Sequence, residues 1–188
     1  VLLRKECHLR VLEEKDLELV LGWRNSDRIR ANMFTDHIIS LDEHREWFEK
    51  VANSLISKHF IFEYNGSPKG VVNVTAIDTH NNKCDWGFYV GGDNLPPGAS
   101  LAMGYLGLEY IFEVLNIRKL YSEVFGFNTA SIKFHKKLGF IEEGYLKAHA
   151  LKNGRYEDVV CMALFQDDWL ETRDNLAANC FGGEDNHE

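Results

Sequence analysis

The sequence predicts a single α/β domain built on one mixed, mostly antiparallel sheet, and three observations carry that expectation. Strand-like alternation from His59 to Val90 is interrupted by Asn65-Gly66 and by Asn81-Asn82, the pattern of an antiparallel meander. From Lys83 to Val124 the pattern becomes strand, long apolar helix, strand, and a helical crossover makes its two strands parallel neighbours. Two further strand-like runs, about Phe140–Ala150 and Tyr156–Leu164, are joined by Lys152-Asn153-Gly154 and read as a hairpin.

Taken in order, residues 6–12 alternate as a half-buried first strand. Asp16 then stands where it can cap a helix that carries Leu17, Val20 and Leu21 on one face. The following Trp23-Arg24-Asn25-Ser26-Asp27 is polar and is expected to break into a loop. Ser40-Leu41-Asp42-Glu43 is a capping box: Ser40 accepts the Glu43 amide while Glu43 reaches back. Trp47, Phe48, Val51 and Leu55 mark the apolar stripe of the helix it starts. Gly91 to Gly98 is a turn-rich loop leading into a helix with Met103, Leu106, Tyr110, Ile111 and Val114 at helical spacing. A last helix runs from Asn128 to Leu138, with Gly139 as its left-handed stop. The domain is expected to span residues 1–165, with about four helices, and residues 166–188 read as an acidic tail, a short helix or disordered.

Charge says little about the substrate. The net charge is −8, but residues 167–188 alone contribute −6, so the rest of the chain is close to neutral. No clustered basic surface points to nucleic acid. No apolar run approaches the roughly 20 residues that span a bilayer, and the first residues lack a signal-peptide layout, so a cytoplasmic protein is expected. Cys7, Cys84, Cys161 and Cys180 are scattered without metal-ligand spacing and read as reduced structural thiols. The eight histidines also lack the spacing of a metal site.

The chemistry concentrates at two helix starts. A helix N-terminus offers unpaired amides and a positive dipole end, and small Gly98, Ala99 and Ser100 let a diphosphate approach them. The second unit is Asn128-Thr129-Ala130-Ser131-Ile132-Lys133-Phe134-His135-Lys136-Lys137-Leu138-Gly139-Phe140. It closely resembles the second signature of the GNAT acetyltransferases: an Asn start, a small residue three later, an aromatic hydroxyl seven later and Gly-Phe at the exit.

That resemblance implies acetyl-CoA as acetyl donor and no metal. It implies two parallel strands that splay, a thioester carbonyl held near Tyr89 and Val90, a pantetheine arm paired like an added strand, and a diphosphate on Gly98, Ala99, Ser100 and Leu101. Asn128 belongs to the same cofactor-binding set. An amine attacks the thioester directly, so one group must remove a proton and another must stabilise the leaving thiolate. Two departures stand out. The family loop aligns with Asn94-Leu95-Pro96-Pro97-Gly98-Ala99, where Pro97 has no amide to give, and the thiolate-facing tyrosine aligns with His135. An inward-facing His135 is expected to act as the acid, as imidazolium or as a neutral donor, so that its loss lowers kcat more than the KM for acetyl-CoA.

The acceptor clue lies in Trp23-Arg24-Asn25, Met33-Phe34-Thr35-Asp36-His37-Ile38-Ile39-Ser40 and Glu43-His44. These resemble the pseudaminic-acid pathway acetyltransferases, which acetylate the 4-amino group of a UDP-4-amino-4,6-dideoxy sugar; Phe34 stands where that group usually has tyrosine. The resemblance implies a nucleotide-sugar site in which Met33 and Phe34 supply apolar and stacking surface while Arg24, Asn25, Thr35 and His37 supply polar contacts. Asp36, His37 and His80 are the candidate bases, with a water relay equally open. A homodimer is compatible with this reading. Two rivals remain: an acetyltransferase of protein N-termini, like those acting on ribosomal proteins, and an acetyl-CoA-binding module without turnover.

Overall fold

The computed structural model describes residues 2–182. Seven strands form one sheet in the order β1 (Cys7–Val11), β2 (Lys58–Tyr64), β3 (Ser67–Asp78), β4 (Lys83–Val90), β5 (Lys119–Phe125), β7 (Arg155–Phe165), β6 (Ile141–Lys152). Every neighbouring pair is antiparallel except β4 and β5. Asn65-Gly66 and Asn153-Gly154 each place both residues at positive φ, the backbone that matches a tight hairpin to the twist of its strands.

Six α-helices flank the sheet among the described residues, two more than the sequence suggests: α1 (Leu17–Asn25), α2 (Asp27–Arg30), α3 (Leu41–Ala52), α4 (Ala99–Glu109), α5 (Thr129–Lys137) and α6 (Gln166–Cys180). One face carries α1 and α3 over a small cluster of Leu12, Val20, Ile61 and Val71, joined by Trp23, Trp47 and Tyr89. The other carries α4, α5 and α6 over the main core. Helix α4 is apolar on every side because it is covered on every side. Its Gly107 lies against Trp86 and Val72 of the sheet, and its Gly104 against Leu138 and Phe134 of the α5 region, so a Cβ at either would press within 3.2 Å of a neighbour.

Several local expectations change. Asp16 precedes α1 but does not cap it: its buried carboxylate accepts two bonds from Arg10, at 2.6 and 2.8 Å, and one from the Glu13 amide. Ser40 accepts the Glu43 amide as expected, whereas the Glu43 carboxylate turns to His37 Nε2 at 2.9 Å instead of reaching back. Helix α3 ends at Ala52, and Leu55 is 87% exposed, outside the stripe. The expected tail begins as a fifteen-residue helix that buries Trp169, Leu176 and Cys180, after which Phe181 bridges Leu2. Residues 183–188 lie outside the described residues. No helix among the described residues is long and apolar enough to cross a membrane.

Candidate active site

The parallel pair β4–β5 is short. Lys83, Cys84 and Asp85 pair with Lys119, Leu120 and Tyr121, and beyond them the strands part. A cleft of about 400 Å³ opens between them, walled by Trp86 to Val90 on one strand and Ser122 to Val124 on the other. Tyr89 and Val90 line this cleft, on a strand flank that β5 does not pair. Gly87 lies between Trp86 and Phe88, and a Cβ built there meets nothing within 4 Å, so the cleft floor is open. Arg28 closes the end of the strand by donating to the carbonyls of Val90 and Gly91, at 3.1 and 3.5 Å.

The loop after β4 delivers the start of α4. Gly98 takes φ 91, a conformation that favours glycine, and its carbonyl accepts the first helical bond from Ala102. The Ala99 amide is turned back to Pro96 O at 3.1 Å, so it is committed within the loop and not presented as expected. Ser100 and Leu101 precede the helical ladder, so their amides have no intrahelical carbonyl to bond. Asn128 lines the cleft while its Oδ1 accepts the Ser131 amide and caps α5.

A second cavity of about 310 Å³ lies under α1 and α3 and shares Asn73 and Tyr89 with the cleft. Arg24 lines it, half-buried, with Nη1 shut from solvent and no protein partner among the described residues. Burial pulls the guanidinium pKa down against the raising influence of Tyr89. Trp47 is stacked on His44 at 5.1 Å and meets His59 edge-on at 4.9 Å. His59 Nδ1 in turn bonds Asn73 Oδ1 at 2.8 Å. Burial lowers the pKa of both histidines, so each is held neutral.

Splayed strands beside two adjoining cavities, with a small-residue helix start after the first strand, agree with the comparison to known proteins. Residues 9–161 match the model of the acetyltransferase (GNAT) domain. The chain belongs to the GNAT acetyltransferases. It is an acetyl-CoA-dependent N-acetyltransferase. It is 26% identical to the spermidine N(1)-acetyltransferase of Vibrio cholerae over 169 residues, 89% of this chain and 98% of that one. It is 27% identical to the acetyltransferase PseH of Campylobacter jejuni over 129 residues, 69% of this chain and 79% of that one. The structure of the Vibrio cholerae spermidine N-acetyltransferase in complex with CoA and spermine superposes with a TM-score of 0.83 at 26% identity, covering 88% of this chain and 99% of that one.

In this GNAT enzyme His135 does not have the surroundings of an acid. The side chain is 2% exposed at the cleft wall. Its Nδ1 lies 2.8 Å from the Ser131 carbonyl, which only accepts, so Nδ1 carries the proton. Nε2 then holds the lone pair and accepts from Trp86 Nε1 at 3.3 Å. Burial lowers the pKa, which disfavours imidazolium, and neither ring nitrogen has an N–H left for a thiolate. This geometry does not favour the acid role expected for His135. The hydroxyls of Ser122 and Ser131 are the O–H groups on the same wall.

The acceptor residues divide. Arg24, Thr35 and His37 line the second cavity, and Met33 and Phe34 line the cleft. Phe34 stacks on Phe125 at 4.4 Å with its other face open to solvent. Asn25 is spent on backbone: its amide group exchanges bonds with Ile39 N and O at 2.9 and 2.8 Å, pinning the 31–40 segment. Asp36 is also committed, to Lys152 Nζ at 2.9 Å and the Asn153 amide at 3.0 Å, and these bonds hold its pKa down. These contacts tie Asp36 to the β6–β7 turn. His80 sits exposed in the turn between β3 and β4 and lines neither cavity. Asn73, Trp47 and Glu123 also line these cavities, outside the residues the sequence singles out for the site. A polar Asn73 inside Val-Val-Asn-Val, and a glycine between two aromatics at 86–88, were the available signals.

Proposed function

We propose that the acceptor of this N-acetyltransferase is an amino sugar carried on a nucleoside diphosphate, with the 4-amino group of a UDP-4-amino-4,6-dideoxy sugar as the amine acetylated. One observation carries the reading: the second cavity holds a half-buried guanidinium, Arg24, without an ion-pair partner among the described residues. Its single lining carboxylate is Glu43, already bonded to His37. An anionic diphosphate compensates such a charge, whereas a polycation adds to it. Trp47 and the apolar Leu12, Val20, Ile39 and Val71 supply surface for a base or a sugar methyl. The likeness to PseH over part of the chain agrees with this.

Polyamine acetylation is the second reading, favoured by the longer match to spermidine acetyltransferases. Thiol release from acetyl-CoA decides between them when the UDP-amino sugar, spermidine and a peptide with a free N-terminus are offered side by side. Turnover of the sugar at more than about tenfold the efficiency of the others is expected. Preference for spermidine or for the peptide would sink the sugar reading.

A further inference from the structure

We infer that Gly87 sets acceptor specificity: its missing side chain admits an amine borne on a ring carbon and not only one on a methylene. The inference deepens the nucleotide-sugar reading and rests on it.

Nothing in the fold asks for glycine at this position. Gly87 lies in the interior of β4, where glycine weakens a strand through backbone entropy and a lost packing surface. Its φ is not positive, so a side chain would not strain the backbone. The glycines of the other strands have local reasons. A Cβ at Gly70 would meet Met103 Sδ and the Tyr89 carbonyl at 2.7 Å, and Gly144 stands at a bulge of β6. At Gly87 a Cβ meets nothing within 4 Å, and the residue is exposed although Trp86 and Phe88 on either side are covered. A strand glycine with open space above it marks the close approach of a ligand.

The neighbours of that space say which ligand. Trp86 and Phe88 turn toward His135, so the space above Gly87 opens on the opposite face of the sheet. Asn73 is the direct strand partner of Gly87, and Tyr89 follows two residues on along the same face. These two residues line both the cleft and the second cavity, so the space lies where the cavities adjoin. An acceptor seated in the second cavity reaches a thioester in the cleft through this passage.

The passage has little freedom to widen elsewhere. Asn73 is fixed by His59 Nδ1 at 2.8 Å. Met33 and Phe34, which also line the cleft, are held by Lys152 at the Met33 carbonyl, 2.6 Å, and by the stack of Phe34 on Phe125 at 4.4 Å. Residue 87 therefore sets the width. In a 4-amino-4,6-dideoxy sugar the nitrogen stands on a ring carbon flanked by C3 with its substituent and C5 with its methyl. The terminal amine of spermidine stands on an unbranched chain and is narrower. A Cβ at position 87 obstructs the first and spares the second.

Gly87→Ala and Gly87→Val place a methyl and an isopropyl group in the passage. For wild type and both variants, kcat/KM is measured with the UDP-amino sugar and with spermidine, alongside calorimetric binding of acetyl-CoA and a melting curve. Sugar turnover is expected to fall about 10- to 100-fold in Gly87→Ala and further in Gly87→Val, the range of an overpacked site. Acetyl-CoA affinity should stay within about threefold and the melting temperature should hold or rise, because a side chain suits the strand better than glycine. A sugar loss below about threefold would overturn the assignment. So would an equal loss on spermidine, a matching loss of acetyl-CoA affinity, or a lowered melting temperature, which would tie Gly87 to the reaction in general, to the cofactor or to the fold. Absence of sugar turnover in the wild type itself brings down the acceptor reading and this inference with it, whereas sugar turnover that both variants keep brings down the role of Gly87 alone.

Discussion

Two cations, Lys152 and Arg24, differ in how the fold answers their charge. Lys152, at the end of β6, has a side chain only 4% exposed, yet its ammonium is fully answered. It donates to the carbonyls of Arg30, Met33 and Thr35 at 2.6 to 3.4 Å and pairs with Asp36 at 2.9 Å. Arg24, in α1, is half-buried and pairs with nothing among the described residues. A buried charge that the fold satisfies holds the chain in place, whereas the proposed acceptor reading assigns the one left open to a ligand. The histidines follow the same division. His135 has both nitrogens bonded, while His44, which lines the second cavity, and His59, packed edge-on against Trp47, each have an Nε2 shut away without a partner among the described residues.

The sharpest way to break the comparison is to neutralise each cation at constant bulk. Lys152→Met strips the donor from three carbonyls and is expected to cost about 2 to 3 kcal/mol of stability, read as a lower urea midpoint. Arg24→Met removes an uncompensated charge, so its urea midpoint should hold or rise. Its kcat/KM for the UDP-amino sugar should fall about 10- to 100-fold, the worth of one or two charge-assisted bonds. Equal stability losses in the two variants would dissolve the distinction. A rise in spermidine turnover by Arg24→Met would sharpen it.

His135 tests the satisfied class at the cleft itself. His135→Ala is expected to cost about 2 to 4 kcal/mol through the cavity it leaves and the orphaned Trp86 N–H and Ser131 carbonyl. At a temperature where the variant is folded, kcat should stay within a few-fold of wild type. Unchanged stability with a large loss of kcat would return the ring to the mechanism.

How far the sequence reached follows from the range of the forces involved. Asn65-Gly66 and Asn153-Gly154 announce their hairpins because turn geometry is local. The Asn128–Phe140 segment likewise announces both its cap and the family. Helix α6 was harder: Trp169, Leu176 and Cys180 lie on one face at spacings of seven and four, but the acids between them mask so sparse a stripe. Lys152 sits beside an Asn-Gly turn and reads as solvated; only its contact with residues 30–36, over a hundred positions away, buries it. Glu123 alternates correctly on its strand, yet its place in the cleft depends on where β4 and β5 part, after three residue pairs. Divergence of that kind is set by packing across the whole sheet.

The smallest expected effect concerns pH. Burial lowers the pKa of His44, His59 and His135 below the ordinary histidine value. The unfolded chain therefore takes up these protons near pH 6.5 while the folded chain still refuses them. Between each folded pKa and that value the unfolded state binds more protons, so stability rises with pH and is lost as pH falls. Each histidine contributes at most about 1.4 kcal/mol per pH unit in that window. The carboxylates of Asp36 and Asp158 are held below their usual range and lose their charge only in more acidic solution. Urea midpoints should accordingly drop as the pH falls from about 7 through the ordinary histidine value. His59→Gln, which keeps a side-chain partner for Asn73, should remove one histidine's share of that slope. An identical slope in the variant would mean that His59 already titrates in the folded protein, and that the acceptor wall is wetter than its burial implies.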